Sequence, residues 1–375
     1  MIENNKKIFI VAGLARSLIN FRMHLLLDFK KHGLNVVAFA PDEDSFVREK
    51  LSKNGISFVR IRMNRTGLNP IKDILALINL YILLKKHKPD FILSYTLKPI
   101  IYSSLVAHFI GDSEIIPMIT GLGFIFVGEG ALSKCLKGAV QILFKFIFKH
   151  SKVVFFQNQD ILNLFLDKRI IFKSKAVLIN GSGVDLGHFF VKPLPQKPIF
   201  LMICRLLKDK GLLEYFAAAE KIKKKYSEVI FKLVGYIDSN PNSLKQREMD
   251  RVLGEGYVEF FGKIDDVRGE ISDSSVYVLP SYCEGTPRSV LEAMSMGRPI
   301  ITTDAPGCRE TVVDGVNGFL VPIKNVEKLA EAMEKFILHP EIIPVMGKES
   351  RRIAEEKFDV HKVNAVILRE MGLCT

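Results

Sequence analysis

Short apolar segments alternate with amphipathic segments along almost the whole chain of 375 residues. The apolar segments have the length and the β-branched content of buried strands, and the amphipathic segments place apolar residues at helical spacing. Strands that alternate with helices form parallel sheets, because each helix returns the chain to the end of the sheet where the next strand begins. The alternation therefore predicts an α/β fold with doubly wound parallel sheets covered by helices on both faces.

A proline-rich segment, 192–198, separates two series of predicted strands and has the composition of a linker. The chain is also too long for one ordinary core. We predict two Rossmann-like domains, 1–192 and 198–355, and a helical segment, 356–375, that crosses back to the first domain. Parallel sheets bind ligands beyond the carboxyl ends of their strands, so two facing sheets would place a site in the cleft between them.

The predicted strands are Lys7 to Ala12, Val36 to Ala40, Ser57 to Ile61, Phe91 to Ser94, Glu114 to Ile119, Val153 to Phe156, Ile199 to Cys204, Val229 to Val234, Tyr257 to Phe261, Val276 to Leu279 and Pro299 to Thr302.

The composition is that of a globular protein with an excess of positive charge. Hydrophobic residues make up 48% of the chain, charged residues 25%, and the formal net charge is +12. The longest stretch without Asp, Glu, Lys or Arg, Ile115 to Gly128, is shorter than the ~18 residues of a membrane span, and we predict no transmembrane helix. The five cysteines form no C-x-x-C pair, which favours reduced, mostly buried thiols in a cytosolic protein.

The positive charge favours an anionic partner. The absence of tryptophan and of any RNA- or DNA-binding signature argues against nucleic acid. An anionic membrane surface fits better, because residues 131–152 mix Leu, Ile and Phe with five lysines, as an interfacial helix does. The same segment is equally compatible with an ordinary core helix whose lysines face water.

One predicted junction between a strand and a helix carries two glutamates. Residues 275–280 predict a buried strand, and residues 290–296 are apolar at helical spacing. Thr286 is a suitable N-cap and Pro287 fits the first helical turn, where its missing N–H is no loss.

Glu284 then lies in the loop and Glu292 in the helix, so the two carboxylates would contact different parts of one ligand. The N–H groups at the start of such a helix favour an anion, and Gly285 lets a ligand approach the backbone.

A second junction, between the strand 199–204 and the helix that follows it, carries Arg205 and Lys210. Cations at a helix start oppose the helix dipole, which suggests that an anion belongs there. Arg205 offers a planar fork for a phosphate and Lys210 a flexible point charge. A solvated run of charges is the alternative interpretation. A phosphate site is favoured because the junction that carries the two glutamates belongs to the same predicted sheet.

Arg205 with Lys210, and Glu284 with Glu292, resemble the R-x4-K and E-x7-E signatures of family 4 glycosyltransferases. The resemblance covers nearly the whole chain and is specific as an ordered set of motifs. It implies retaining, nucleotide-sugar-dependent transfer and the GT-B architecture, in which two Rossmann-like domains face a central cleft. The further matching segments are 306–310, 314–321 and 180–185, the last with a two-residue insertion relative to the family's Asn-Gly-Val-Asp.

The resemblance also implies a role for each residue of the donor site. Arg205 and Lys210 would hold the donor diphosphate and stabilise the leaving nucleotide, and Glu284 would contact the sugar. The backbone N–H groups of Gly285 and Thr286 would bind the sugar or the phosphates. Glu292 would accept the ribose hydroxyls. The family's front-face attack requires no covalent carboxylate, and the expected donor is UDP-linked, with an N-acetylhexosamine as the leading choice.

On the acceptor side, Gly13 lies in the position of the family's glycine loop after the first strand. Arg16 or Arg22 would contact an acceptor diphosphate, although both also fit solvated surface arginines. Some relatives carry a histidine near Leu97, which this sequence lacks. Lys98 is the residue that could replace it as the acceptor-side base.

The segments 64–70, 95–99 and 119–124 resemble enzymes that build lipid-linked oligosaccharides for O-antigen, capsule or glycoprotein assembly. The implied acceptor is a polyprenyl-diphosphate-linked saccharide. The implied location is the cytoplasm, in peripheral association with the inner face of the cell membrane.

We predict no metal and no cofactor. The sequence Asp42-Glu43-Asp44 fits a D-x-D metal motif, but its position after the second strand also fits acidic residues that open a helix, and the eight histidines show no ligand spacing. Two other functions remain open at this point: a GT-B nucleotide-sugar epimerase, and a non-enzymatic basic protein that binds anionic membranes or nucleic acid.

Overall fold

The computed structural model describes residues 6–64, 67, 69–121, 131–237 and 242–374, with the backbone alone for 131–136. It divides the chain into two compact units, Met1–Ser182 with His361–Thr375, and Gly183–Val360. Residues 183–192, which we assigned to the first domain, group with the second unit. The reason is a short bridge in which Val184 N–H donates to the Phe358 carbonyl at 2.8 Å, and Val360 N–H to the Val184 carbonyl at 3.0 Å.

The first unit is built on a parallel sheet of seven strands in the order β3-β2-β1-β4-β5-β6-β7. The order reverses direction at β1 and β4, which is the mark of a doubly wound sheet. The strands are β1 Lys7–Val11, β2 Asn35–Ala40, β3 Ser57–Arg60, β4 Phe91–Tyr95, β5 Glu114–Ile119, β6 Val154–Phe156 and β7 Ala176–Leu178.

Two hydrophobic cores cover the two faces of this sheet. Residues of α1, α2 and α13 form one core, and residues of α3, α4, α5 and α6 form the other. The C-terminal helix thus packs in the first unit, where Asn364 donates to the Asp28 carboxylate at 2.7 Å. The helices are α1 Ala15–Lys31, α2 Ser45–Lys53, α3 Pro70–His87, α4 Leu97–Ile110, α5 Ala131–His150, α6 Gln159–Asp167 and α13 Val360–Glu370.

The second unit has a parallel sheet of six strands in the order β10-β9-β8-β11-β12-β13. Buried apolar side chains of its strands and helices form its core. The strands are β8 Ile199–Arg205, β9 Ile230–Tyr236, β10 Glu259–Phe260, β11 Val276–Leu279, β12 Ile300–Thr303 and β13 Gly318–Val321. The helices are α7 Leu212–Lys225, α8 Gln246–Gly254, α9 Arg268–Ser272, α10 Arg288–Ser295, α11 Val326–Leu338 and α12 Ile342–Ile353.

The predicted linker is fixed to the second unit by a buried arginine. Arg298 has no solvent exposure, and its guanidinium donates to the carbonyls of Lys192 at 2.8 Å and Pro193 at 2.9 Å. Burial lowers the pKa of this guanidinium to about 10. The linker prolines therefore lie within the second unit.

Every predicted strand is present, with ends that move by one to two residues at most positions. Two strands were missed, β7 and β13, because each is short and only partly buried, so neither shows an apolar run. In the described part of the chain, no helix is long and apolar enough to cross a membrane.

Candidate active site

Two loops meet at the carboxyl edge of the second sheet, one after β8 and one after β11. The two strands are parallel neighbours in this sheet. Arg205 is the last residue of β8, and Gly211, with φ 71°, turns the chain into α7. A Cβ at Gly211 would lie 2.1 Å from the Pro280 carbonyl oxygen, so only glycine fits between the loops. The close approach fixes the basic loop against the glutamate loop.

Backbone hydrogen bonds reinforce this junction. The Asp209 carbonyl accepts from the Tyr282 N–H at 2.9 Å and from the Ser281 hydroxyl at 3.1 Å. Asp209 directly precedes Lys210, so these bonds set the position of the lysine relative to Glu284.

Lys210 and Glu284 are paired directly. The distance from Nζ to Oε1 is 2.7 Å, and the two side chains are 13% and 17% exposed. Burial by itself would lower the pKa of Lys210, but the neighbouring Glu284 carboxylate outweighs burial and the pKa is raised. Lys210 is therefore a cation at neutral pH, and the charge of the nearby Arg205 acts on it in the opposite direction.

A third loop, after β12, supports Glu284 from the other side. The Glu284 N–H donates to the Pro306 carbonyl at 2.8 Å. A Cβ at Gly307, whose φ is 80°, would lie 2.2 Å from the Glu284 carbonyl oxygen. Sequence reasoning noted residues 306–310 only as a family-like segment and missed this supporting role. The signal was the Pro-Gly pair at a predicted strand end, which marks a tight turn.

Glu292 lies in α10, as predicted, but the helix begins later than predicted. Pro287 is the cap residue, with an extended ψ of 110°, and Arg288 is the first helical residue. The prediction of Thr286 as N-cap and Pro287 inside the helix was therefore wrong by one residue.

Glu292 is bonded to Arg288, one helical turn before it, at 2.9 Å. Burial raises the pKa of Glu292, and the Arg288 guanidinium lowers it in part. Arg288 was missed by sequence reasoning, although the spacing of four between an arginine and a glutamate on one helix was a usable signal.

The loops after β8, β11 and β12 thus bring Arg205, Lys210, Glu284 and Glu292 to one edge of one sheet, with Gly285 and Thr286 in the loop between the glutamates. Cations and a helix start suit a diphosphate, and carboxylates suit sugar hydroxyls. The thiols of Cys204 and Cys308, near this edge, have pKa values raised by burial to about 12, so they are neutral side chains.

The first unit holds the predicted acceptor-side residues. Gly13 follows β1, and a Cβ there would lie 2.6 Å from the Thr96 hydroxyl oxygen. Arg16 bonds to the Asp44 carboxylate at 2.6 Å and lies over the Phe46 ring. Arg22 is only 3% exposed.

The Arg22 guanidinium lies 5.0 Å from the centre of the Tyr95 ring, whose hydroxyl is hydrogen-bonded to Ser17. Lys98 bonds to Asp73 at 2.9 Å. The segments 64–70 and 119–124 fall partly outside the described residues.

The acidic segment 42–44 opens α2, in agreement with the helix-start interpretation. The Asp44 carboxylate accepts from the Val47 N–H at 3.1 Å as the N-cap, and Asp42 accepts from the Ala15 N–H at 2.8 Å. Across the described side chains, no group of three or more His, Cys, Asp and Glu residues could hold a metal ion.

Two family models match the two halves of the chain. A glycosyl transferase 4-like model matches residues 11–158, and a model of glycosyl transferases group 1 matches residues 197–339. The second match contains all four charged residues of the carboxyl-edge site.

Two curated relatives align with most of the chain. The N,N'-diacetylbacillosaminyl-diphospho-undecaprenol alpha-1,3-N-acetylgalactosaminyltransferase of Campylobacter jejuni is 28% identical over 84% of this chain and 85% of its own length. The UDP-Gal:alpha-D-GlcNAc-diphosphoundecaprenol alpha-1,3-galactosyltransferase of Escherichia coli is 27% identical over 79% of this chain and 78% of its own length.

Solved structures share the fold. A glycosyltransferase from Rickettsia africae has a TM-score of 0.78 at 18% identity and covers 99% of both chains. Anabaena HepE in complex with UDP-glucose has a TM-score of 0.78 at 17% identity, over 98% of this chain and 100% of its own. The prediction of a GT-B fold with two Rossmann-like, parallel-sheet domains is confirmed.

Proposed function

Because the protein is a glycosyltransferase with a family 4-like domain and a group 1 domain, we propose that it transfers a sugar, with retention, from a UDP-linked donor to a polyprenyl-diphosphate-linked saccharide. The observation that carries the donor half is the pairing of Lys210 with Glu284, next to Arg205, at the carboxyl edge of the second sheet. The alternative of a non-enzymatic basic protein is wrong, since the matched relatives are transferases.

In the proposed donor complex, Arg205 and Lys210 bind the diphosphate and stabilise the charge that develops on the leaving nucleotide. Glu284 contacts the sugar from the position in which Lys210 and the loop after β12 hold it. Glu292 accepts the ribose hydroxyls, and the N–H groups of Gly285 and Thr286 bind sugar or phosphate oxygens. The leaving phosphate assists deprotonation of the acceptor on the same face, so the reaction needs no covalent carboxylate and no metal.

The names of the two curated relatives support the acceptor class. Both act on diphospho-undecaprenol-linked sugars, and one of them transfers N-acetylgalactosamine. We therefore propose a UDP-N-acetylhexosamine as the first donor to test. The same acceptor class implies peripheral association with the inner face of the cell membrane.

On the acceptor side we propose Gly13, Arg16, Arg22 and Lys98 as the residues that shape the site. Lys98 is bonded to the Asp73 carboxylate. An ammonium group has no lone pair with which to accept a proton, so Lys98 suits contact with an acceptor phosphate better than it suits a base. Arg16 offers its guanidinium to the same phosphate if it exchanges its bond to Asp44.

Ligand binding tests the donor half separately from transfer. The thermal unfolding midpoint is measured with a panel of UDP- and GDP-sugars, since a ligand that binds the folded state raises it. We expect a UDP-sugar to stabilise the wild type and to stabilise Glu292→Gln much less. Glu331→Gln, an exposed change on α11 of the same unit, is the matched control.

Transfer is then measured with radiolabelled UDP-N-acetylhexosamines and undecaprenyl-diphosphate-linked N-acetylhexosamine. The proposal expects a lipid-linked α-glycoside, formed equally well with a metal chelator, and little conversion of donor without acceptor. Rapid conversion of the donor in the absence of acceptor would instead identify a nucleotide-sugar epimerase. Equal nucleotide affinity in wild type, Arg205→Ala and Glu292→Gln would contradict the proposed donor site.

A further inference from the structure

Helix α3, Pro70–His87, has two apolar faces and packs only one of them. Ala76, Leu80 and Leu84 are buried in the core of the first unit. On the other face, five large apolar side chains are 50–73% exposed: Ile71, Ile74, Leu75, Ile78 and Ile82. A helix that is apolar on all sides is normally buried, so the exposed face suggests a partner.

The exposed side chains form one continuous row. At 3.6 residues per turn, Ile71, Leu75, Ile78 and Ile82 fall within an arc of about 60°. Ile74 extends the row on one side. The row is about 16 Å long, since a helix rises ~1.5 Å per residue. It is therefore a linear apolar strip along a helix, not a pocket.

Positive charge borders this strip. Lys72 lies at its start, and Lys85, Lys86 and Lys88 lie at its end, all exposed. Asp73 is the only acidic residue in α3, and its carboxylate is already bonded to Lys98. The surface thus combines an apolar strip with lysines at both ends.

We propose that α3 is the surface by which the protein binds an anionic lipid bilayer. The isoleucines insert at the boundary between headgroups and acyl chains, and the lysines contact lipid phosphates. The inference rests on the proposed function, because a lipid-linked acceptor requires the enzyme to work at a membrane. It also specifies the membrane-binding element, which the sequence analysis sought elsewhere.

The structure favours α3 over α5, the segment that the sequence indicated. Along the described side chains of α5, Val140, Phe144, Ile147 and Phe148 are buried in the core. Among the described side chains of α5, residues 137–150, the large apolar ones that are exposed are Ile142 and Phe146. The Phe146 ring packs edge-on against His108 at 4.9 Å. The core thus accounts for most of the described apolar side chains of α5.

Charge favours a lipid surface over a second copy of this chain. Two copies related by a two-fold axis along the strip would bring like-charged lysine groups towards each other, with no free carboxylate on α3 to offset them. An anionic bilayer offers the opposite charge to the lysines at both ends of the strip.

A single tryptophan can report insertion directly, because the chain contains none. The variants are Ile78→Trp on α3, Ile142→Trp on α5 and Val345→Trp on α12 of the second unit, all at positions at least half exposed. Vesicles contain phosphatidylglycerol and phosphatidylethanolamine, with or without brominated acyl chains. We expect a blue shift and quenching by bromolipid for Ile78→Trp alone.

Vesicle sedimentation measures the strength of binding. We expect the combined variant Ile71→Gln, Ile78→Gln, Ile82→Gln to bind roughly 100-fold more weakly than wild type, since three inserted side chains are lost. The pair Leu338→Gln, Val345→Gln, exposed in the second unit, is the matched control and should bind like wild type. Lys85→Gln with Lys86→Gln should weaken binding and reduce its salt dependence.

Three results would overturn the proposal. These are binding of the triple variant within a few-fold of wild type, bromolipid quenching of Ile142→Trp without quenching of Ile78→Trp, and a wild-type dimer that the triple variant converts to monomer. Transfer to a soluble acceptor analogue separates this inference from the proposed function. Loss of vesicle binding with intact transfer to that analogue supports α3 docking, whereas vesicle binding without any transfer contradicts only the proposed reaction.

Discussion

The Lys210–Glu284 pair makes the candidate donor site a stability element as well. Each side chain is mostly buried, so removing one leaves the other charge desolvated and unpaired. We expect Lys210→Met and Glu284→Gln each to lower the free energy of unfolding by about 2–4 kcal/mol. The double variant should lose less than the sum of the two. Urea unfolding of the four proteins measures this coupling, and strictly additive losses would contradict it.

The raised pKa of Glu292 predicts a pH dependence of donor binding. Burial disfavours its carboxylate form, so Glu292 takes up a proton at higher pH than an ordinary glutamate. We expect the affinity for a UDP-sugar to fall as the pH decreases below neutral, at pH values above those that protonate an ordinary glutamate, because the protonated group accepts ribose hydroxyls poorly.

Calorimetry over this range tests the dependence, and Glu292→Gln is the control. The diphosphate diester of the donor does not titrate there, so the variant should bind weakly at every pH. A slope that is the same in the variant and in the wild type would assign the effect to another group. The stability of the unliganded protein changes with pH in the opposite direction. Because the pKa of Glu292 is higher in the folded than in the unfolded state, its buried carboxylate destabilises the fold less as the pH falls.

At the scale of elements, two glycines with similar backbone conformations distinguish the cost of backbone strain from the cost of a steric clash. Gly307 and Gly315 have φ values of 80° and 75°, but only Gly307 faces the Glu284 backbone, while the space at Gly315 is open. We expect Gly315→Ala to cost about 1 kcal/mol and to leave activity intact. Gly307→Ala should cost more and reduce transfer about 100-fold, because it displaces Glu284.

Chemical unfolding and initial transfer rates test this comparison. Equal activities in Gly307→Ala and Gly315→Ala would mean that the loop after β12 does not position Glu284.

The sequence predicted which segments form buried strands better than it predicted short strands or the contacts between distant residues. Buried strands such as β1 and β8 are recognisable as apolar runs between turn residues. In contrast, β7 and β13 are short and half-buried and carry no such pattern. The placement of Glu284 in a loop and Glu292 in a helix followed from local spacing alone. The ion pairs of Arg16 and Lys98 could not be predicted from local spacing, because their partners are distant in sequence.

The exposed face of α3 was beyond sequence reasoning for a related reason. Hydrophobic periodicity shows that a face is apolar, but whether another element covers it depends on the three-dimensional arrangement of α3 and α4. Residues 131–152 had the mixed composition of an interfacial helix, yet the apolar side chains described there, from residue 137 onward, mainly fill the core.

At the scale of the whole molecule, the first unit depends on the far end of the described chain. Val363, Ile367, Leu368, Met371 and Leu373 are buried in its core. We expect Ile367→Ala to lower stability by about 2–4 kcal/mol, because it leaves a cavity beside α1 and the sheet. Arg369→Ala, exposed on the same helix, should have little effect.

Hydrogen exchange locates the damage caused by Ile367→Ala. Faster exchange in β1 and β4 is expected, and loss of protection confined to 183–360 would contradict the assignment of α13 to the first unit.

This discontinuity also sets an order of events on the ribosome. The strands of the first unit emerge first, but the helix that completes one face of their core follows residues 183–360, which take roughly 10–35 s to synthesise. The second unit, although later in the sequence, has all its own strands and helices before the first unit does. During that interval α1 and α2 cover only part of this face of the first sheet. The apolar surface that α13 later covers is exposed, and we expect it to be the part of the chain that chaperones hold.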